Sequence, residues 1–286
     1  ALPISNRRFF IDEVERPWFA HHLKGGPAPD LPEALVFETG ANRWRRFDAW
    51  PPAEVVPTPI HARAGGGLTW APPAEGEPDS TGFVSDPARP VPYTQDVSIR
   101  MTRAYMVEDQ RFAARRPDVL TFRSEPLEAP LTLAGPIIAQ LVVSTDQADA
   151  DWVVKLIDEQ PGDAEDWPDM RRGQRRGGFM QMVRSEVIRG RYRDDPARPE
   201  PFEPDVPTPV ELPLMDVLHT FPAGHRIVIQ VQSTWFPMVD RNPQAWVDNV
   251  FLAEEEDYVA AVHQVFHAPE LPTRFLLPVL PAGGTD

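Results

Sequence analysis

Ile227-Val228-Ile229-Gln230-Val231-Gln232 decides the fold class. Ile227, Ile229 and Val231 take one side of the alternation and Gln230 and Gln232 the other, the two-residue period of a strand. Trp152-Val153-Val154-Lys155-Leu156-Ile157 is apolar on both faces for most of its length, as a fully buried strand requires. Outward from these two, strand-like runs recur at 118–122, 131–145, 151–158, 179–188, 208–214, 225–233, 261–266 and 274–280, with Gly, Pro, Asp and Asn between them. The chain holds 35 prolines in 286 residues. Proline cannot donate to a ladder and breaks helix interiors, so short strands joined by fixed turns are favoured over a helical bundle. This pattern predicts an all-β fold, a jelly-roll β-sandwich of the galactose-binding-like kind.

Apolar residues make up 42% of the chain, enough for a large core. The net charge of −15 argues against nucleic acid as a partner, because phosphates demand clustered cations. No apolar run approaches the roughly 18 residues that would cross a bilayer, so no membrane partner is expected. Cysteine is absent, which removes disulfides, thiolate metal sites and cysteine nucleophiles. Lysine occurs only at Lys24 and Lys155.

Residues 6–23 read as an amphipathic helix, with Phe10, Val14 and Trp18 at i, i+4 and i+8 and Phe19 and Leu23 beside them. Pro17 should kink or restart it, and Gly25-Gly26 should end it. Such an aromatic face needs a partner. Ala34–Thr39 is a short strand-like run, and residues 53–96 read as a Pro- and Gly-rich connector with short edge strands such as Leu68-Thr69-Trp70. The start Ala1-Leu2-Pro3-Ile4-Ser5 has no initiator Met and no leader pattern, as if cut from a longer chain.

No serine among Ser5, Ser80, Ser85, Ser98, Ser124, Ser144, Ser185 and Ser233 lies in G-x-S-x-G, the strained turn that exposes a nucleophile. His21-His22 point about 100° apart on a helix, His263 and His267 lie four apart on a strand, and His219 and His225 flank a turn. None of these pairs reads as a metal site. Asp158, Glu159, Asp163, Glu165, Asp166 and Asp169 read as a solvated loop, balanced by Arg171-Arg172-Gly173-Gln174-Arg175-Arg176. Around Trp235-Phe236-Pro237, Asp240 suits an Asx-turn and Arg241 a bidentate lock on a carboxylate. Tyr105 and Met106 are adaptable apolar groups near the end of the connector.

Several stretches carry a resemblance: SDPARPVPY (85–93), DQRFAARRPDVLTF (109–122), DADWVVKLID (149–158), IRGRYR (188–193), GHRIVIQVQSTWFPMVDRNPQ (224–244) and LPVL (277–280). Together they resemble the C-terminal part of α-amino acid ester hydrolases, within the wider group of Xaa-Pro dipeptidyl-peptidase, cocaine esterase and glutaryl-acylase-like serine hydrolases. The resemblance implies residues 1–60 as the last helix and strand of an α/β-hydrolase domain, and 61–286 as a C-terminal jelly roll. The family's serine elbow and triad Asp lie upstream, and its triad His, in a G-P-W-x-H-like motif, would fall just before Asn6. No catalytic residue, metal or cofactor is therefore assigned here, and the chain alone is expected to be inactive.

In relatives the loop after the SDPxxPVP segment leans over the active site. By that likeness Tyr105 and Met106 become candidates for the substrate wall. Phe10, Val14, Trp18, Trp235, Asp240 and Arg241 are expected at a domain interface. The implied partners are the hydrolase and cap domains and a small α-amino acyl ester or amide, with a homo-oligomer also expected from the apolar helix face. The implied location of the whole enzyme is periplasmic or secreted. The competing expectation is a free-standing carbohydrate-binding sandwich, with Trp152, Trp235 and Trp246 as the aromatic platform.

Overall fold

A computed structural model describes residues 6–97, 102–168, 170 and 173–282. Ser5 with the rest of the first five residues, Ser98, Asp169, Arg171 and Arg172 lie outside them.

Helix α1 (residues 6–24) restarts at Pro17. An α-turn Asn6–Phe9 leads into a π-helical stretch Phe10–Glu15, and α-geometry resumes over Arg16–Lys24. Proline offers no N–H to residue 13 and its ring crowds that carbonyl, and the wider π-turn just before it absorbs the misfit. Gly25 (φ +63°) ends the helix, its N–H reaching His21 O at 3.2 Å, while Gly26 N reaches Ala20 O at 3.0 Å.

A hairpin of β1 (Ala34–Glu38) and β2 (Arg43–Phe47) follows. The sandwich contains β3 (Val56–Arg63), β4 (Gly67–Thr69), β5 (Ser80–Ser85), β6 (Leu120–Arg123), β7 (Leu131–Thr145), β8 (Asp151–Glu159) and β9 (Met180–Arg189). It continues with β10 (Thr208–Phe221), β11 (Arg226–Gln232), β12 (Ala261–Ala268), β13 (Leu271–Pro272) and β14 (Arg274–Leu280). One layer runs β12-β7-β14-β3-β4, with β5 and β13 on β12 and β10 on β7. The other runs β6-β11-β8-β9, and a single parallel pairing, Gly67 with Arg123, joins the two. Ile60, Leu133, Ile137 and Leu141 from the first layer meet Trp152, Leu156, Ile227 and Ile229 from the second in one core. The fold is the expected all-β sandwich.

Two expectations need adjusting. A division at residue 60 would fall inside β3, whose residues 56–61 are laddered to β14. The stretch 53–96 is not a mere connector, since it supplies β3, β4 and β5. The hairpin is also tied to the sheet. Thr39 bridges His219 on β10, and Gly40 (φ +82°) lies so close that a Cβ there would meet Thr220 O at 1.9 Å.

Candidate functional site

Lys155 stands on the face of β8 turned away from the core, with Val153 and Ile157, opposite Gln230 on β11. Gln230 and Gln232 are not solvated, as their alternation suggests, but fully buried. An irregular strap, described over residues 91–97 and 102–114, lies on this face, and Gln230 donates to Gln110 O within it at 3.4 Å. It is pinned at one end by Tyr93 N to Phe236 O and Phe236 N to Val91 O, both 2.9 Å, and at the other by Gln110 N to Met180 O at 2.9 Å. Between the pins a one-turn 3₁₀ helix, Ala104–Met106, crosses the sheet.

Tyr105 packs edge-on against Trp235 and tilted against Tyr93, both at 5.7 Å between ring centroids. Met106 is 52% exposed and Val107 also faces outward. The two candidate wall residues therefore divide: Tyr105 is the half-buried footing of the arc, and Met106 is on its outer surface. Trp235, expected at an interface, is buried within this cluster as a plug.

Lys155 is fully buried beneath them. Its Nζ donates to Gln110 Oε1 at 3.1 Å and lies 4.9 Å from the centroid of the Trp235 ring. Among the described residues no carboxylate reaches it within ion-pair distance. Burial pushes the amine down to about 7, a fall that the charge of Glu108 opposes. Glu108 is itself raised, by burial first, although the Gln95 N–H it accepts works the other way. Sequence reading passed over Lys155; the signal was there, a cation in the middle of a run apolar on both faces.

A second polar group closes the end of the sandwich near Asp240. Asp240 pairs with Arg189 at 3.0 Å, and Arg189 also reaches Asp151 at 3.3 Å. Burial pushes the Asp151 carboxyl up to about 7, against the pull of Arg189 and of Asn242, which donates to it at 2.7 Å. Arg191 and Asp149 form a buried pair at 2.7 Å, with Trp246 stacked on the guanidinium at 4.4 Å. Arg241 makes no bidentate lock: it touches Pro87 O at 3.2 Å, Glu255 at 3.7 Å and the Tyr258 ring at 4.4 Å. Trp152 and Trp235 are buried and Trp246 is spent on Arg191, so the three do not form the platform a carbohydrate would need.

His219 and His225, read as merely flanking a turn, converge on Asp158 at 3.2 and 2.7 Å. Burial raises the Asp158 carboxyl, but the two imidazole partners outweigh it and hold the group below its ordinary value. The other nitrogen of His219 meets Thr39 Oγ1 at 2.8 Å. Both ring nitrogens thus face fixed partners and the ring is buried. The chain Thr39–His219–Asp158 is a tie between the hairpin and the sheet, unlike an exposed nucleophile and base. His263 Nε2 donates to Gln244 Oε1 at 2.9 Å, and His267 meets Thr81 at 2.9 Å. In the acidic loop, Arg176 main-chain N donates to Asp166 at 2.8 Å, while its guanidinium goes to Gln160 at 2.5 Å and covers Trp167, so the expected balance of charges is not seen among the described residues.

Helix α1 buries none of its described residues. Phe10, Trp18, Phe19 and Leu23 are exposed and Val14 is half-buried. Phe9 stacks on Trp44 at 4.8 Å, and a groove of about 540 Å³ separates the helix from the hairpin, walled by Pro17, Leu31, Leu35 and Trp44.

Residues 28–274 match the family model described as the X-Pro dipeptidyl-peptidase C-terminal non-catalytic domain. A cocaine esterase from Rhodococcus sp. (strain MB1 Bresler) is 28% identical over 277 residues, 93% of this chain and 45% of that protein. Two solved structures superpose with a TM-score of 0.89: an aminopeptidase from a marine sediment Thaumarchaeota archaeon, 41% identical, and an α-amino acid ester hydrolase, 40% identical. In both cases 96% of this chain covers 45% of the other, so the chain spans about half the length of its relatives. The matched family is that of hydrolases, and within it the chain belongs to the X-Pro dipeptidyl-peptidase C-terminal non-catalytic domain.

Proposed function

We propose that the chain covers and walls the active site of a longer serine hydrolase that acts on α-amino acid esters or amides. The observation that carries this reading is the arc at Tyr105 and Met106. It is pinned at both ends, footed on an aromatic cluster, and still presents Met106 and Val107 outward. A rigid footing under exposed, adaptable side chains suits a wall that selects among leaving groups. The relatives named aminopeptidase and α-amino acid ester hydrolase support the α-amino acyl class. The acyl-enzyme chemistry, in which serine attacks, histidine carries the proton and aspartate holds the imidazole, then belongs to the remainder of that enzyme. The exposed face of α1, with Phe10, Val14 and Trp18, packs on the hydrolase domain. Asp240 and Arg241 stay at the sandwich end as interface candidates.

In the intact hydrolase, Met106→Ala is expected to change the kcat/KM ratio between a bulky and a small leaving group by about tenfold. The melting temperature should not move, because the side chain is exposed. An unchanged ratio would refute the wall. The 286-residue chain alone should not hydrolyse p-nitrophenyl esters; saturable turnover stopped by a serine-directed reagent would contradict the assignment of chemistry elsewhere. It should also self-associate, since each large apolar side chain left wet forfeits about 1.5–3 kcal/mol. Monodisperse monomer in light scattering at high concentration would count against a covered α1 face.

A further inference from the structure

Strands β9 and β10 each carry one residue too many. Leu156 faces Arg184 and Ile157 faces Met182, which leaves Val183 without a partner on β8. Leu214 faces Ile137 and Val217 faces Gly135, so Met215 and Asp216 share one place opposite β7. Bulges interrupt a ladder and re-aim the side chains beside them. Both open onto the same half-open cavity of about 300 Å³, where Arg184 and Asp216 stand among Val36, Phe37, Trp50 and Val217. That volume is at the lower end of the range for small-molecule sites.

The charges in this cavity are only partly spent. Arg184 Nε donates to the main-chain carbonyl of Asp216 at 2.6 Å. Asp216 Oδ2 accepts from Trp50 Nε1 at 2.5 Å. Among the described residues, neither terminal nitrogen of Arg184 has a protein partner, Asp216 Oδ1 has none, and no ion pair joins the two groups. A guanidinium fork matches a carboxylate, and a carboxylate oxygen accepts from an ammonium. A simple anion would be repelled by Asp216 and a simple cation by Arg184, whereas a zwitterion satisfies both. The remaining walls are apolar except for Thr39, whose hydroxyl is taken up by Leu218 O and His219.

We infer that this cavity binds a free α-amino acid with an apolar side chain, its carboxylate on Arg184 and its ammonium on Asp216. The site shares no residue with the Tyr93–Tyr105–Trp235 cluster and does not rest on the function proposed above. It is tested by titrating the 286-residue chain with L-leucine, L-leucinamide and N-acetyl-L-leucine in a calorimeter. Leucine should bind about tenfold tighter than either derivative, each of which lacks one charge. Arg184→Gln should erase the preference over leucinamide and keep that over N-acetyl-leucine; Asp216→Asn should do the reverse. Equal binding of all three, saturation by one derivative alone, or no saturation by leucine at its solubility limit would overturn the site. The series on the unaltered chain decides the matter even where a variant fails to fold.

Discussion

Replacing Lys155 by methionine is expected to make the protein more stable at neutral pH and less stable at alkaline pH. The ordinary value of the amine is 10.5, and burial brings it down to about 7. Between those values the unfolded chain holds a proton that the folded chain has released. The stability linked to this group is complete above 10.5 and is lost as pH falls to about 7. The whole window amounts to roughly 5 kcal/mol, most of it reached by neutral pH. Methionine has a similar reach and no charge to strip of water. It forfeits the hydrogen bond to Gln110 and leaves that carbonyl short of a partner, at about 1–3 kcal/mol. The variant should therefore gain about 2 kcal/mol near neutrality and lose about 1 kcal/mol near pH 10. Urea unfolding of both proteins at the two pH values checks it. A difference that does not change with pH would show that Lys155 keeps its proton in the fold.

Arg191→Met should cost about 3–5 kcal/mol, because it abandons Asp149 as an unpaired charge in the interior. Both side chains are buried, and their contact is 2.7 Å. The arginine also donates to Val247 O at 2.9 Å and carries Trp246, so the loop after β11 loses its anchor too. Removing the acid as well, in Asp149→Leu/Arg191→Met, should restore much of the loss. The recovery is incomplete because Asp149 Oδ1 accepts from Ala150 N at 2.9 Å. Chemical denaturation of the single and double variants gives the comparison. A single variant within about 1 kcal/mol of the parent would mean that water reaches the pair.

Strands with a regular alternation or an unbroken apolar run were legible in the sequence. β7 and β14 have the expected limits, residues 131–145 and 274–280. The expected end of β10 at Leu214 is where the bulge begins; the strand resumes beyond it to Phe221, out of phase with the residues before. β3 was hidden by Pro57 and Pro59. Ala62 N reaches Thr273 O on the β14 side, so by alternation the prolines turn their missing N–H toward the opposite edge. There β4 pairs only from His61 onward, and no ladder bond is lost. β5, Ser-Thr-Gly-Phe-Val-Ser, is an edge strand on β12 with too few apolar residues to mark it.

The candidate site was less legible. Tyr105 and Met106 entered through a resemblance, and their different exposures depend on Tyr93 and Trp235, far along the chain. Gln230 and Gln232 have the polarity of a wet face and are buried because the strap lies over them. The pairing of His219 and His225 on Asp158 joins three strands' ends that no local spacing connects. Arg184 and Asp216 meet only because two bulges shift their strands.

β14 lies between β7 and β3. Residues 64–273 separate β3 from β14, to which residues 56–61 are laddered. On the ribosome, every one of them must emerge before β3 finds β14, although β4 follows it at once. Until then the nascent chain carries one side of β3 and one side of β7 as bare edges, open to pairing with another strand. Synthesis of this protein thus includes a long interval in which those two edges stay open, closed at last by residues 274–280.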